Sequence, residues 1–176
     1  MTQKKPYSRF TEMVTSECKR NGVKLGLRKG KFVRLGGFKC SGYFGDDPPR
    51  LIASMGHPDS KTILAHEFCH MTQWIDGISL WTLGEKGIEE IDNWLLGKDV
   101  DDIDLHIANS RSLELDNEIR TSRLVEEYDL GMDVDLYIKK SNAYVLFYNW
   151  LRETRRWSKP GNSPYMNKRI LSMMSN

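Results

Sequence analysis

Apolar residues along this chain follow a helical spacing at both ends and a strand spacing near the start. Phe10, Met13, Val14 and Cys18 fall on one face of a helix, and Gly22 is a suitable stop. The texture then changes. Residues 23–27 and 31–35 have strand character around an Arg28-Lys29-Gly30 turn, and 38–44 have the character of a third strand. Asp46-Asp47-Pro48-Pro49 is a hard break, and the apolar run 51–55 is a further strand closed by Gly56. Beyond it the pattern is helical. Pro58 and Asp59 start a helix over 62–75 that Gly77 ends. Residues 87–96 form a shorter helix with Ile88, Ile91, Trp94 and Leu95 inward. Residues 112–130 form a strong one stopped by Gly131. Asp133 caps a last long helix through Tyr144, Phe147, Tyr148 and Leu151 to about Trp157, before Pro160, Gly161 and Pro164. The expected fold is α+β: an N-terminal helix, a small twisted and mostly antiparallel sheet, then a mainly helical part packed around the 62–75 helix.

The length of 176 residues fits one domain, with a basic tail over about 158–176. Such a chain buries a sizeable core without disulfides. The first 15 residues are polar and basic, unlike a signal peptide. No run approaches the roughly 18 apolar residues of a membrane span. Cys18, Cys40 and Cys69 are odd in number and lack zinc-knuckle spacing, which fits free thiols in a reducing cytoplasm.

The net charge of +2 hides segregation: residues 1–56 carry +8, residues 57–140 carry −11 and residues 141–176 carry +5. These segments either neutralise one another on folding or leave a basic surface for a polyanion.

The acidic middle holds the main chemical signal, His66-Glu67-Phe68-Cys69-His70. Two histidines four apart on a helix project from one face, so both imidazoles can hold one tetrahedral zinc. Glu67 is placed to act as general base towards the water that zinc acidifies, for attack on a carbonyl carbon. Ordinary residue frequencies put a chance occurrence in a chain of this length at roughly half a percent. Leu64, Phe68, Met71 and Ile75 form an apolar stripe opposite the histidines, so the helix buries one face and offers the other.

A third protein ligand is required, and four residues are candidates. Asp76 follows the motif at a known third-ligand spacing, but Gln73 replaces the turn glycine that would bring it back to the metal. His106 has no spacing that argues for it. Glu114 and Glu118 lie four apart on the later helix and share a face. Glu114 is the favoured ligand. Glu118 is the alternative, or receives a hydrogen bond from a ligand histidine. Tyr144 and Tyr148 are candidate donors to a developing oxyanion, though their spacing equally suits helical core aromatics. Cys69 reads as a small buried hydrophobe.

The motif, the small sheet before it and the later helix with paired acids resemble the zincin metallopeptidases of the gluzincin type over residues 38–130. Length and texture are also similar to small phage-encoded proteins of that class. The resemblance implies a minimal zincin-like domain: a zinc-dependent peptidase acting on an intracellular protein, in the host cytoplasm if phage-encoded. It also implies that substrate adds as a β-strand beside residues 41–44 or 51–55. Glu118 stands where the family has aspartate, which loosens the choice between Glu114 and Glu118.

The alternative is a non-catalytic zinc-binding regulator, or a nucleic-acid-associated protein, on a metallopeptidase-like scaffold. Trp150, Arg152, Arg155, Arg156, Trp157, Lys159, Lys168 and Arg169 mix aromatics with cations, which suits either single-stranded nucleic acid or packing within the fold. Trp74, Trp81 and Trp94 read as core or cleft walls. Residues 78–100, with Gly84, Gly87 and Gly97, are a candidate flap.

Overall fold

A computed structural model describes residues 6–157 and 164–174. The element order is α1 (Pro6–Arg20), β1 (Lys24–Arg28), β2 (Val33–Leu35), β3 (Phe38–Cys40), β4 (Gly42–Asp46), β5 (Pro49–Ser54), α2 (Ser60–Ile75), α3 (Ser79–Leu95), α4 (Ile103–Glu127), α5 (Val134–Thr154), a 3-10 turn (Pro164–Met166) and α6 (Lys168–Met173). The fold is α+β, with an N-terminal helix, small sheets and a mostly helical C-terminal part. Among the described residues no helix is long and apolar enough to cross a membrane. Residues 158–163 of the basic tail, Lys159 included, lie outside the described residues.

The described chain forms two compact units. One holds the residues up to Gly77 together with Ile119–Met132; the other holds Ile78–Glu118 and the residues from Asp133 on.

In the first unit β1, β5 and β4 form a three-stranded sheet in that order, and β2 and β3 pair separately. The β2–β3 and β4–β5 pairings are antiparallel, whereas β1 and β5 run parallel. The Arg28-Lys29-Gly30 turn therefore does not close a hairpin between its flanking strands. β1 pairs instead with the most apolar strand, β5, whose Leu51 and Ala53 are fully buried. The expected break at residues 46–49 is the tight turn between β4 and β5, with a cis Asp47–Pro48 peptide and Asp46 opposite Pro49.

Alternation along β5 gives the sheet two faces. Helix α2 packs on β4 and β5, on the face carrying Leu51 and Ala53. Leu64, Ala65, Phe68, Cys69 and Met71 are buried on α2. Phe68 meets Phe10 of α1 edge-on at 6.4 Å, and the Cys18 thiol points at the Met71 sulfur at 3.6 Å. Ile75, expected inward, is 39% exposed because α2 is already ending there. Asp76 and Gly77 donate to the last turn, and Gly77 takes a φ of +62°.

In the second unit Ile91, Ile107, Ala143, Phe147, Tyr148 and Leu151 form the main core. Helix α3 begins at Ser79 and runs 17 residues, so the segment expected as a flap is a packed helix. Its glycines are contact points. A Cβ at Gly84 would fall 2.4 Å from Leu113, and one at Gly87 would fall 2.4 Å from the Ser110 hydroxyl. Side chains there would hold α3 away from α4, so glycine is what permits the contact. Asp133 caps α5 as expected, its carboxylate accepting from the Leu136 amide at 2.9 Å.

Candidate metal centre

Helix α2 carries His66, Glu67 and His70 in its middle turns, where every backbone group is satisfied and side-chain direction is fixed by the helix. The spacing brings His66 Nε2 and His70 Nε2 to 3.2 Å, with the rings at 87°. Two nitrogens that each lie ~2.05 Å from a tetrahedral zinc stand ~3.3 Å apart. The pair therefore matches the separation that one ion requires.

His70 is oriented from behind. Its Nδ1 lies 2.9 Å from the Gln73 Oε1, an amide oxygen that accepts an N–H. That assigns the proton to Nδ1 and leaves the Nε2 lone pair facing His66. Gln73 is fully buried, so the arrangement is packed in place. The sequence held the signal for this role: Gln73 is three residues after His70, on the same helical face.

Glu67 is buried on α2, and β4 makes room for it. A Cβ at Gly42 would fall 2.8 Å from the Glu67 Cγ and 2.9 Å from the Ile52 carbonyl oxygen. Since the backbone oxygen cannot yield, Gly42→Ala pushes the Glu67 side chain aside. We expect a loss of about 1–3 kcal/mol in urea unfolding. Nearby, burial, then the Glu67 charge, push the Cys40 thiol up to about 11 against a hydrogen bond with the Gly42 backbone, so it stays protonated at neutral pH.

Glu114 and Glu118 have different surroundings. Glu118 accepts hydrogen bonds from the hydroxyls of Tyr137, of Ser141 at 2.7 Å and of Tyr165 at 2.6 Å. Three hydroxyls thus hold its two oxygens. Glu114 accepts from the Tyr144 hydroxyl at 3.1 Å. Burial, then the charge of Glu114, keeps the Tyr144 phenol well above its usual range, so it remains a neutral donor. Tyr165 stacks on Tyr144 at 4.6 Å and 17°. His66 and His70 lie in the first unit and Glu114, buried on α4, in the second. Two imidazoles and one carboxylate are the donor set of many hydrolytic zinc sites, so the residues fit the metal.

Comparison with family models, curated proteins and solved structures returned no match.

The remaining candidates fall elsewhere. Asp76 bonds Arg120 at 2.6 Å, beyond the end of α2, and His106 is outside the group. Tyr148, unlike these two, is close to Glu114: it is fully buried beside Tyr144, and burial, then the charge of Glu114, keeps its phenol well above the usual range. Strand β5 already has β1 and β4 on its two edges, so 51–55 cannot accept another strand; β4 is an edge strand. The aromatic and basic residues of α5 are used within the fold. Arg152 and Arg155 lie over the Trp94 ring, Arg152 pairs with Asp104, and Trp157 packs edge-on against Phe147.

Proposed function

We propose that this chain is a zinc-dependent peptidase in which His66, His70 and Glu114 hold the metal and Glu67 is the general base. The observation that carries the reading is the 3.2 Å separation of the two histidine Nε2 atoms, with Gln73 fixing the tautomer that leaves His70 Nε2 bare. At that distance the two Nε2 atoms either share a proton, His66 donating to the bare His70 nitrogen, or share an ion.

A bound zinc supplies Lewis acidity, acidifying water and polarising a carbonyl group. The chain supplies the remainder. His66 and His70 bind through Nε2. Gln73 keeps His70 in its ligand tautomer. Tyr144 holds one oxygen of Glu114 and turns the carboxylate. Glu67 takes the proton from the attacking water and returns it to the leaving amine. The Gly42 backbone leaves the space that Glu67 needs for that exchange.

Support for a peptide bond as substrate comes from the site's resemblance to zincin peptidases and from the position of β4, an edge strand of its sheet packed against the motif helix. Metal analysis tests the reading. Purified protein is expected to hold about one zinc per chain, and His66→Ala to hold none. A native protein with no affinity for zinc overturns it.

A further inference from the structure

The face of the three-stranded sheet opposite α2 has no part in the metal site and carries its own chemistry. Arg28, Phe32, Val33, Arg34, Tyr43 and Ile52 line a concavity of about 300 Å³ there. The register explains why these residues meet. Gly26 on β1 and Tyr43 on β4 both pair with Ile52 on β5, so all three sit in one row of one face. The missing side chain of Gly26 makes room for Ile52, whose Cδ1 would lie 2.4 Å from a Cβ there, and the Arg28 guanidinium folds over the same spot at 3.8 Å. Arg50, two residues before Ile52, lies on this face with its guanidinium 5.5 Å from the Tyr43 ring centre. Its Nε is buried with no hydrogen-bond partner among the described residues. The chain from β2 borders the concavity with Phe32, which is 56% exposed, and Arg34.

No acidic residue lines the concavity, and no ion pair among the described residues engages Arg28, Arg34 or Arg50. Residues 24–56 carry seven Lys/Arg against two Asp, and both aspartates are in the β4–β5 turn region. We propose that this face binds single-stranded nucleic acid, with the arginines on phosphates and Phe32 and Tyr43 as stacking surfaces for bases. Cations alone suit any polyanion. An exposed aromatic ring among unpaired guanidinium groups favours a ligand that alternates flat bases with phosphates. A duplex hides its base faces, and an acidic peptide has none. The C-terminal aromatics and arginines do not compete for this role, because Trp94 and Asp104 occupy Arg152 and Arg155.

The experiment is fluorescence anisotropy with labelled oligo(dT) and oligo(U) of about 20 nucleotides, titrated with zinc-loaded full-length protein over a salt series. Three phosphate contacts predict a slope of about −2 in log K against log salt. Arg28→Ala with Arg34→Ala is expected to weaken binding at least tenfold and to flatten that slope by about 1.4. Phe32→Ala is expected to weaken it about tenfold. All three positions are exposed, so circular dichroism and zinc content should match the native protein. Preference for one oligonucleotide identifies DNA or RNA as the ligand. Three outcomes overturn the proposal: no binding of either at low salt, undiminished binding by the double arginine variant, or equal competition by polyglutamate of matched charge.

Discussion

Glu67→Gln should abolish hydrolysis while leaving the metal in place. The change keeps the shape of a buried side chain packed against Gly42, so the fold has no reason to respond. It removes only the capacity to accept a proton. General-base catalysis is worth about 10²–10⁴-fold, and that drop is expected in kcat with KM little changed. The measurement compares native and variant protein on a peptide that native protein cleaves, found by mass spectrometry of a peptide mixture, with metal content read on the same samples. Equal turnover by the variant, with zinc retained, would show that hydrolysis does not use Glu67 as its base. A native protein that holds zinc but cleaves no peptide in the mixture would shift the reading to a non-catalytic zinc-binding protein.

The second large effect separates the two glutamates. Glu118→Ala strips the shared acceptor from Tyr137, Ser141 and Tyr165, all within the second unit. Leaving buried hydroxyls without their charged acceptor should cost on the order of 3 kcal/mol in urea unfolding of the zinc-free protein. The folded fraction should still bind zinc. Glu114→Gln should behave in the opposite sense. It keeps the side chain's shape and an oxygen that can accept from Tyr144, so it should cost about 1 kcal/mol, yet zinc affinity should fall sharply because a neutral amide replaces the anionic ligand. If Glu118→Ala loses zinc and Glu114→Gln keeps it, the assignment of the two residues is reversed.

That contrast also shows where sequence reasoning reached its limit. His66, Glu67 and His70 were legible because their relation is internal to one helix, where the spacing alone sets the geometry. Glu114 and Glu118 have the same internal relation to each other, so helical spacing could not rank them. Tyr137, Ser141 and Tyr165, 19 to 47 residues further along, decide the role of Glu118. Gln73 was within reach, since it stands at the spacing from His70 that permits a side-chain bond.

Fold class followed from the change of apolar period along the chain. Strand pairing did not, because the parallel β1–β5 contact joins segments about 26 residues apart and nothing local specifies it. Gly84 and Gly87 were misleading. Read as loop-like flexibility, they are positions where α3 lies against side chains of α4. Arg152 and Arg155 are ambiguous in the sequence, because nothing local reveals that both lie over the Trp94 ring, about 60 residues earlier.

The central claim is that one zinc is bound by two imidazoles and a carboxylate. X-ray absorption at the zinc edge, on protein loaded with one equivalent, reads the ligand atoms directly. A centre of His66, His70 and Glu114 should give nitrogen and oxygen neighbours at ~2.0–2.1 Å, the multiple-scattering signature of two imidazoles, and no sulfur. His66→Ala should erase the imidazole signal along with the bound metal. A sulfur neighbour at ~2.3 Å would place a cysteine in the centre, and that or an imidazole-free zinc would rule out this ligand set.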